Sequence, residues 1–377
     1  MATIQKVSVH RVPCSGPGDL SAVRALIHSG QIHAADIVAV MGKTEGNGCV
    51  NDHTRDYASV VWADLLAREL GCTAQEAHQK VALVMSGGTE GVLSPHFTVF
   101  SRSWVESSQA LPGKRLVIGC AQTADFAPEE MGRLAQVQAT AVAVKAAMKE
   151  AGIASLEDVH LVQVKCPLLT SSKVQDCLNR GVEPVTRDTY ESMGYSRGAS
   201  ALGVSVALGE TEMTTLKDQD ILSDWGRYSS RASVSAGIEL ECNVVIVLGQ
   251  SKASASDLAI DHTVMTDAVD ASSVRRMLID RFGVNPDVPQ EVSKRLVNFL
   301  AKAEASPDGK VRGERHTMLN DSDIHSTRHA RAAVGAVLAS IAGHSALYVS
   351  GGAEHQGPPG GGPVAAIVRI DPVTSLS

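Results

Sequence analysis

The chain has 377 residues, room for two or three domains or one large repeated one with an ample core. Hydrophobic residues make up 44% and charged residues 20%, with a formal net charge of −7, which describes a folded globular protein and leaves no basic field for nucleic acid. No apolar run reaches the roughly eighteen residues of a membrane span, and the opening MATIQKVSVHRVPCSG lacks a secretory apolar stretch, so a soluble, cytoplasmic protein without membrane partners is expected.

The first predicted strand is ADIVAVMG (35–42) and the second is VALVMS (81–86); between them TRDYASVVWADLLAREL (54–70) spaces its apolar residues as a helix does. Next come the strand KRLVIGCAQ, a helix in PEEMGRLAQVQATAVAVKAAMKEAG opened by Pro128 and closed by Gly152, and the strand VHLVQVKC. SRGASALGVSVALGE reads as a helix and CNVVIVLG as a strand, and the alternation continues through VSKRLVNFLAKAE, STRHARAAVGAVLASIAG, ALYVSGG and PVAAIVRI. With only 3% aromatic residues the core must be largely aliphatic, as in alternating α/β layers. Connectors near Gly249–Asp257 and Ser306–Glu314 are boundary candidates. Seven scattered cysteines without a CxxC pair argue against a disulfide framework or a zinc ribbon.

An internal repeat organises these elements. SGGTE at Ser86, SAGIE at Ser235 and SGGAE at Ser350 each end an apolar run, and glycine there lets the backbone approach a ligand closely. Upstream of each serine a helix opening carries an arginine, Arg55, Arg197 or Arg328, and before each arginine a strand ends in lysine, Lys43, Lys165 or Lys302. Lysine and serine lie 43, 70 and 48 residues apart, so loop lengths vary while the order holds. The expected architecture is α/β, with three structurally alike repeats over residues 1–105, 112–250 and 256–377 around a pseudo-threefold axis.

The residue types suggest nucleophilic chemistry. A serine hydroxyl needs a base, and a lysine serves when desolvation or nearby cations lower its pKa. Arginines fork onto carbonyl oxygens, and backbone N–H groups after the serine suit an oxyanion. Three such sets imply a small planar ring with carbonyls at alternate positions. Ser86, Ser235 and Ser350 have equal standing as nucleophile on this ground. One hint favours the middle pair: Lys165 lies between apolar HLVQV and CPLLT, whereas Lys43 and Lys302 precede Glu45 and Glu304 by two residues, and a carboxylate would hold a lysine charged. Rival motifs fail. GKT at Gly42–Thr44 would need glycine at Ile37 for a P-loop, no GxSxG elbow is present, and the thirteen histidines include no HExxH.

VMGKTEGNGCVNDHTRDYAS, VMSGGTEGVLSPHFTVF, VKCPLLT and SGGAEHQGPPGGGP resemble the cyanuric acid hydrolase and barbiturase family of ring-opening amidohydrolases across essentially the whole chain. The resemblance implies three alike domains around a central active site, assembly as a homotetramer, and hydrolytic opening of cyanuric acid to carboxybiuret, which loses carbon dioxide to give biuret. It places nucleophile and base at Ser235 and Lys165. It places substrate contacts at Arg55, Arg197 and Arg328, at Ser86-Gly87, Ser235-Ala236 and Ser350-Gly351, and at Lys43 and Lys302. Ala236 departs from the glycine of the other two copies. Opening of barbiturate to ureidomalonate, and a non-catalytic module that binds planar cyclic imides, are the alternatives.

The tail AEHQGPPGGGP combines rigid prolines with glycines whose carbonyls can turn inward, a donor set for Mg²⁺ or Ca²⁺. The resemblance adds Glu304 as the carboxylate, with Ala353, Gln356, Gly357, Pro358 and Gly361 as further ligands to a structural ion. No organic cofactor is expected.

Overall fold

A computed structural model describes residues 3–370. The first sheet is built from β1 (Thr3–Pro13), β2 (Ile37–Thr44), β3 (Ala82–Gly87) and β4 (His96–Glu106), with α1 (Ser21–His28), α2 (His53–Leu70) and α3 (Ala74–Lys80) between them. The second comprises β5 (Arg115–Gln122), β6 (Val159–Cys166), β7 (Ala232–Ala236) and β8 (Val244–Ser251), with α4 (Leu134–Ala151), α5 (Ser171–Asn179) and α6 (Thr189–Ala207). The third comprises β9 (Leu258–Met265), β10 (Leu296–Ala303), β13 (Tyr348–Gly351) and β14 (Gly362–Arg369), with α7 (Ala271–Phe282), α8 (Pro289–Arg295), the small hairpin β11 (Lys310–Val311) and β12 (Glu314–Arg315), and α9 (Ser326–Ala342).

All three sheets have the same order: first strand, last strand, second, third. In each, the second and third strands run parallel and the remaining pairs antiparallel. Even the irregularity repeats, since the second strand skips one residue against its neighbour at Val38, His160 and Val297. Residues 1–2 and 371–377 of the expected first and third repeats lie outside the described residues.

Side chains alternate across a strand, and that period of two divides the core. Met41, Leu161 and Leu300 face a common interior where the three sheets meet. Val40, Val162 and Phe299 point the other way, against the helices of their own repeat. Both faces are buried, which explains the nearly continuous aliphatic runs in these strands.

Several local expectations need correction. The helix expected from Pro128 begins at Leu134, because Gly132 at φ +74° interrupts it after a short 3₁₀ turn at Pro128–Glu130. The helix carrying Arg197 begins at Thr189, where Asp188 caps the backbone N–H groups of Tyr190 and Glu191. Ser306–Glu314 is no boundary; it holds most of the small hairpin inside the third repeat. RLVIGCAQ opens the second sheet, inside the expected second repeat, and the last strand of the first sheet is β4. That strand was not anticipated; nor were β1 and β9.

Candidate active site

The alternation that points Met41, Leu161 and Leu300 inward carries on to Lys43, Lys165 and Lys302, and along the third strands to Ser86, Ser235 and Ser350. Lys43 pairs in register with Ser86, Lys165 with Ser235 and Lys302 with Ser350, each across two parallel strands. Six polar side chains thus converge at the strand ends from sequence positions far apart. The three serines bound a cavity of about 20 Å³ that Gly87, Ala236, Gly351, Arg55, Arg197 and Arg331 also line, with Gly48 and Met193. A larger cleft of about 600 Å³ beside Lys145, Met148 and Gly209 is mainly apolar and lacks such convergent groups.

Arg331 takes the position expected for Arg328. Helix α9 carries both, three residues apart, and turns Arg331 inward with only 5% of its side chain exposed while Arg328 remains 37% exposed. Arg331 grips Glu90 through Nε at 2.7 Å and Nη2 at 2.6 Å, whereas Arg328 touches Glu90 only through Nε at 3.1 Å.

The glutamate that ends each Ser-x-Gly-x-Glu copy supplies the frame around the cavity, a role not assigned from sequence. Glu90 of the first repeat pairs with Arg331 of the third, and Glu354 of the third pairs with Arg197 of the second at 2.7 and 2.6 Å. Such fork-to-fork pairs fix the guanidinium planes and leave Nη1 for a ligand. The fit explains the second glycine of these motifs. Gly88 (φ +106°) and Gly352 (φ +76°) lie where a Cβ would stand 2.6 Å from Arg331 and 2.8 Å from Arg197.

The third member of the cycle breaks the pattern. Glu239 lies 3.9 Å from Arg55 but 3.0 Å from Lys165 Nζ. Arg55 instead donates to the carbonyls of Cys49 (2.7 Å) and Ala236 (3.1 Å). Lys165 also donates to Met85 O (2.7 Å) and Ala236 O (3.3 Å), leaving Ser235 Oγ buried and without a hydrogen-bond partner among the described residues. By contrast, Lys43 donates to Ser86 Oγ at 3.2 Å and Lys302 to Ser350 Oγ at 3.1 Å. The buried hydroxyl of Tyr348 lies beside Ser86 and Ser235.

This reverses the sequence-based hint about lysine environments. Burial pushes Lys43 and Lys302 well below the ordinary lysine range, reinforced by Arg331 and Arg197 respectively, whereas Glu239 opposes the lowering of Lys165 by burial. Glu90 and Glu354 act on Lys43 and Lys302 from further off, whereas Glu239 pairs directly with Lys165 at 3.0 Å, brought by the tertiary fold rather than by a chain neighbour.

Glu304 lies at the end of β10 with its carboxyl pushed up to about 7 by burial and by the nearby Glu354; the backbone N–H of Gly360 donates to it at 3.3 Å. A buried carboxyl so raised fits a cation partner, and the carbonyls of Ala353 and Pro358, each holding a turn N–H from Gln356 or Gly361, retain a lone pair for one. The Gln356 side chain is already committed, with Oε1 accepting from Val234 N and Nε2 donating to Gly352 O and Glu354 O. Gln356 therefore has only its backbone carbonyl to offer, as Gly357 and Gly361 have.

Comparison with known proteins places the chain in a family. The family described as amidohydrolase ring-opening protein matches residues 8–369. A cyanuric acid amidohydrolase of Pseudomonas sp. (strain ADP) is 59% identical over 363 residues, 96% of this chain and 99% of that protein. One from Bradyrhizobium diazoefficiens is 59% identical over 366 residues, 97% and 98% of the two chains. A solved cyanuric acid hydrolase, described as evolutionary innovation by structural concatenation, matches with a TM-score of 0.94 at 58% identity, covering 97% of this chain and all of its own. That of A. caulinodans gives 0.89 at 48% identity, covering 98% of this chain and 100% of its own. Matched over nearly its whole length, the chain belongs to the family of ring-opening amidohydrolases and is a hydrolytic enzyme.

Proposed function

We propose that the enzyme is a cyanuric acid amidohydrolase that opens its ring by attack of Ser235, with Lys165 as the base. The observation that carries the ring substrate is the cavity itself, where three serines and three arginines from three like repeats surround a small space. Three alternating carbonyls of a planar ring match three guanidinium edges. The names of the relatives support cyanuric acid over barbiturate.

Ser235 is favoured over its two counterparts because its hydroxyl is unengaged, while Lys43 and Lys302 hold the other two. In this reading Lys165, in the neutral form that burial favours against the pull of Glu239, takes the proton of Ser235 as Oγ bonds to a ring carbonyl carbon. Glu239 stabilises the ammonium so formed, as a carboxylate orients and supports the base in other nucleophilic sites. Backbone N–H groups near Ala236 receive the oxyanion. The ring C–N bond then breaks and Lys165 returns the proton to the leaving nitrogen. Water cleaves the resulting ester to release carboxybiuret, which loses carbon dioxide to give biuret. Ser86 and Ser350, with Gly87 and Gly351, hold the other two carbonyl edges.

Glu304 with the carbonyls of Ala353, Gln356, Gly357, Pro358 and Gly361 would hold Mg²⁺ or Ca²⁺, which supplies charge neutralisation beneath the loop carrying Glu354. A homotetramer in the cytoplasm completes the proposal. Among the described residues no helix is long and apolar enough to cross a membrane. Tyr57 and Val60, exposed one turn apart on α2, offer apolar surface for assembly. The test is turnover of cyanuric and barbituric acids by purified protein with product analysis. Biuret and carbon dioxide from cyanuric acid support the reading; turnover of barbiturate alone, or tight cyanurate binding without turnover, overturns it.

A further inference from the structure

The residue skipped in the second strand of each sheet is valine in β2 and β10, Val38 and Val297, but His160 in β6. Opposite His160, across the junction of the second and third sheets, β9 presents Asp261 and His262. We propose that His160, Asp261 and His262 bind a divalent transition-metal ion of the Zn²⁺ class and so staple the second repeat to the third.

Three atoms define the site. His160 Nδ1 lies 3.0 Å from His262 Nδ1 and 3.4 Å from Asp261 Oδ1, and His262 Nδ1 lies 3.8 Å from the same oxygen. A triangle with those sides has its corners about 2.0 Å from a common centre, which is the bond length of Zn²⁺ to imidazole nitrogen and carboxylate oxygen. An ion near that centre meets all three donors without backbone movement, and water completes four-coordination from the open side. Two imidazoles and a carboxylate suit Zn²⁺ or Co²⁺ better than Mg²⁺ or Ca²⁺.

The surroundings place the donors in ligand form. Burial and His160 push His262 down to about 3, while burial raises Asp261 and the hydrogen bonds and charges of His160 and His262 together hold its carboxyl below the ordinary range. Asp261 Oδ1 is anchored by the backbone N–H of His262 at 2.7 Å. The cations facing the cluster are Arg281, whose exposed side chain has Nε 3.8 Å from Asp261 Oδ2, and Arg231. The Gln250 amide meets His160 Nε2 at 3.1 Å and also donates to Ile260 O. Turned over at the expense of the second bond, it accepts the His160 Nε2 proton and frees Nδ1 for the ion, the usual outer support of a metal-bound histidine. Lys165 lies five residues further along β6, about 16 Å at the rise of a strand, so the ion is remote from the catalytic cavity.

The test uses the full-length protein stripped with EDTA and titrated with Co²⁺ and Zn²⁺. One equivalent of Co²⁺ should give the visible absorption of a nitrogen-ligated, four-coordinate ion, displaced by Zn²⁺. His262→Gln should weaken binding at least tenfold, whereas Glu304→Gln, at the separate oxygen-ligand site, should leave it intact. Crystals of the unmodified protein soaked in Zn²⁺ should show an anomalous peak among the three side chains, which keeps the claim testable should the variant fold poorly. Absence of that peak, or unchanged Co²⁺ absorption in folded His262→Gln, would overturn the site.

Discussion

Replacing Arg331 and Arg328 one at a time separates the arginine that lines the cavity from the one beside it. Arg331 and its partner Glu90 are 5% and 12% exposed, and truncating one partner of a buried pair leaves a desolvated charge that costs about 3–5 kcal/mol of stability. Its guanidinium edge is also proposed to grip the ring. Loss of one charge-assisted hydrogen bond, about 1.5–3 kcal/mol, lowers kcat/KM by roughly ten- to 150-fold. Arg328 is 37% exposed with a single contact, and such pairs contribute about 0.2–1 kcal/mol, so Arg328→Ala should stay within about fivefold of the parent. The assay is steady-state ring opening alongside thermal denaturation. A double variant, Glu90→Gln with Arg331→Met, removes the stranded charge and should regain much of the lost stability while kcat/KM stays low. Equal damage from Arg328→Ala, or recovery of activity in the double variant, would refute a direct role for Arg331.

Three further outcomes follow from the geometry. Ser235→Ala should abolish turnover with cyanurate binding still measurable by calorimetry, while Ser86→Ala and Ser350→Ala should raise KM and retain turnover above that background; an acyl adduct trapped on Ser86 or Ser350 would reassign the nucleophile. Glu239→Gln removes the carboxylate that raises the Lys165 pKa, so the acid limb of the pH–kcat profile should move to lower pH as kcat falls, since the ammonium formed in the reaction loses its support; an unmoved limb would separate Glu239 from the base. Glu304, with its pKa raised to about 7, binds a proton more tightly folded than unfolded, so stability falls as pH rises from about 4.5 to 7. A cation on Glu304 offsets this, and Mg²⁺ or Ca²⁺ should therefore raise Tm more at pH 8 than at pH 6, with no such difference in Glu304→Gln.

The repeat was legible because strands buried on both faces leave long aliphatic runs, and because each run ends in an unusual Lys or Ser-x-Gly-x-Glu signature. Period-two alternation already puts Lys43 on the face of Met41, and Lys302 on that of Leu300. The edge strands β1 and β9 and the inner strand β4 were missed. β1 and β9 interleave polar residues such as Lys6, Arg11, Asp261 and His262 with their apolar ones, which weakens a search for continuous hydrophobic runs.

Sequence alone determined the α/β class, the threefold order of lysine, arginine and serine, and the chemistry those side chains can perform, because residue type and alternation are local properties of the chain. Tertiary structure decided which neighbours they meet. Helical rotation chose Arg331 over Arg328, and packing between repeats turned Glu90 and Glu354 onto arginines but Glu239 onto Lys165. The same packing brought His160 to Asp261 and His262 from a hundred residues away. These choices depend on electrostatic contacts between segments distant in the chain, whose energies exist only once the three sheets have closed around their shared core and excluded water from it.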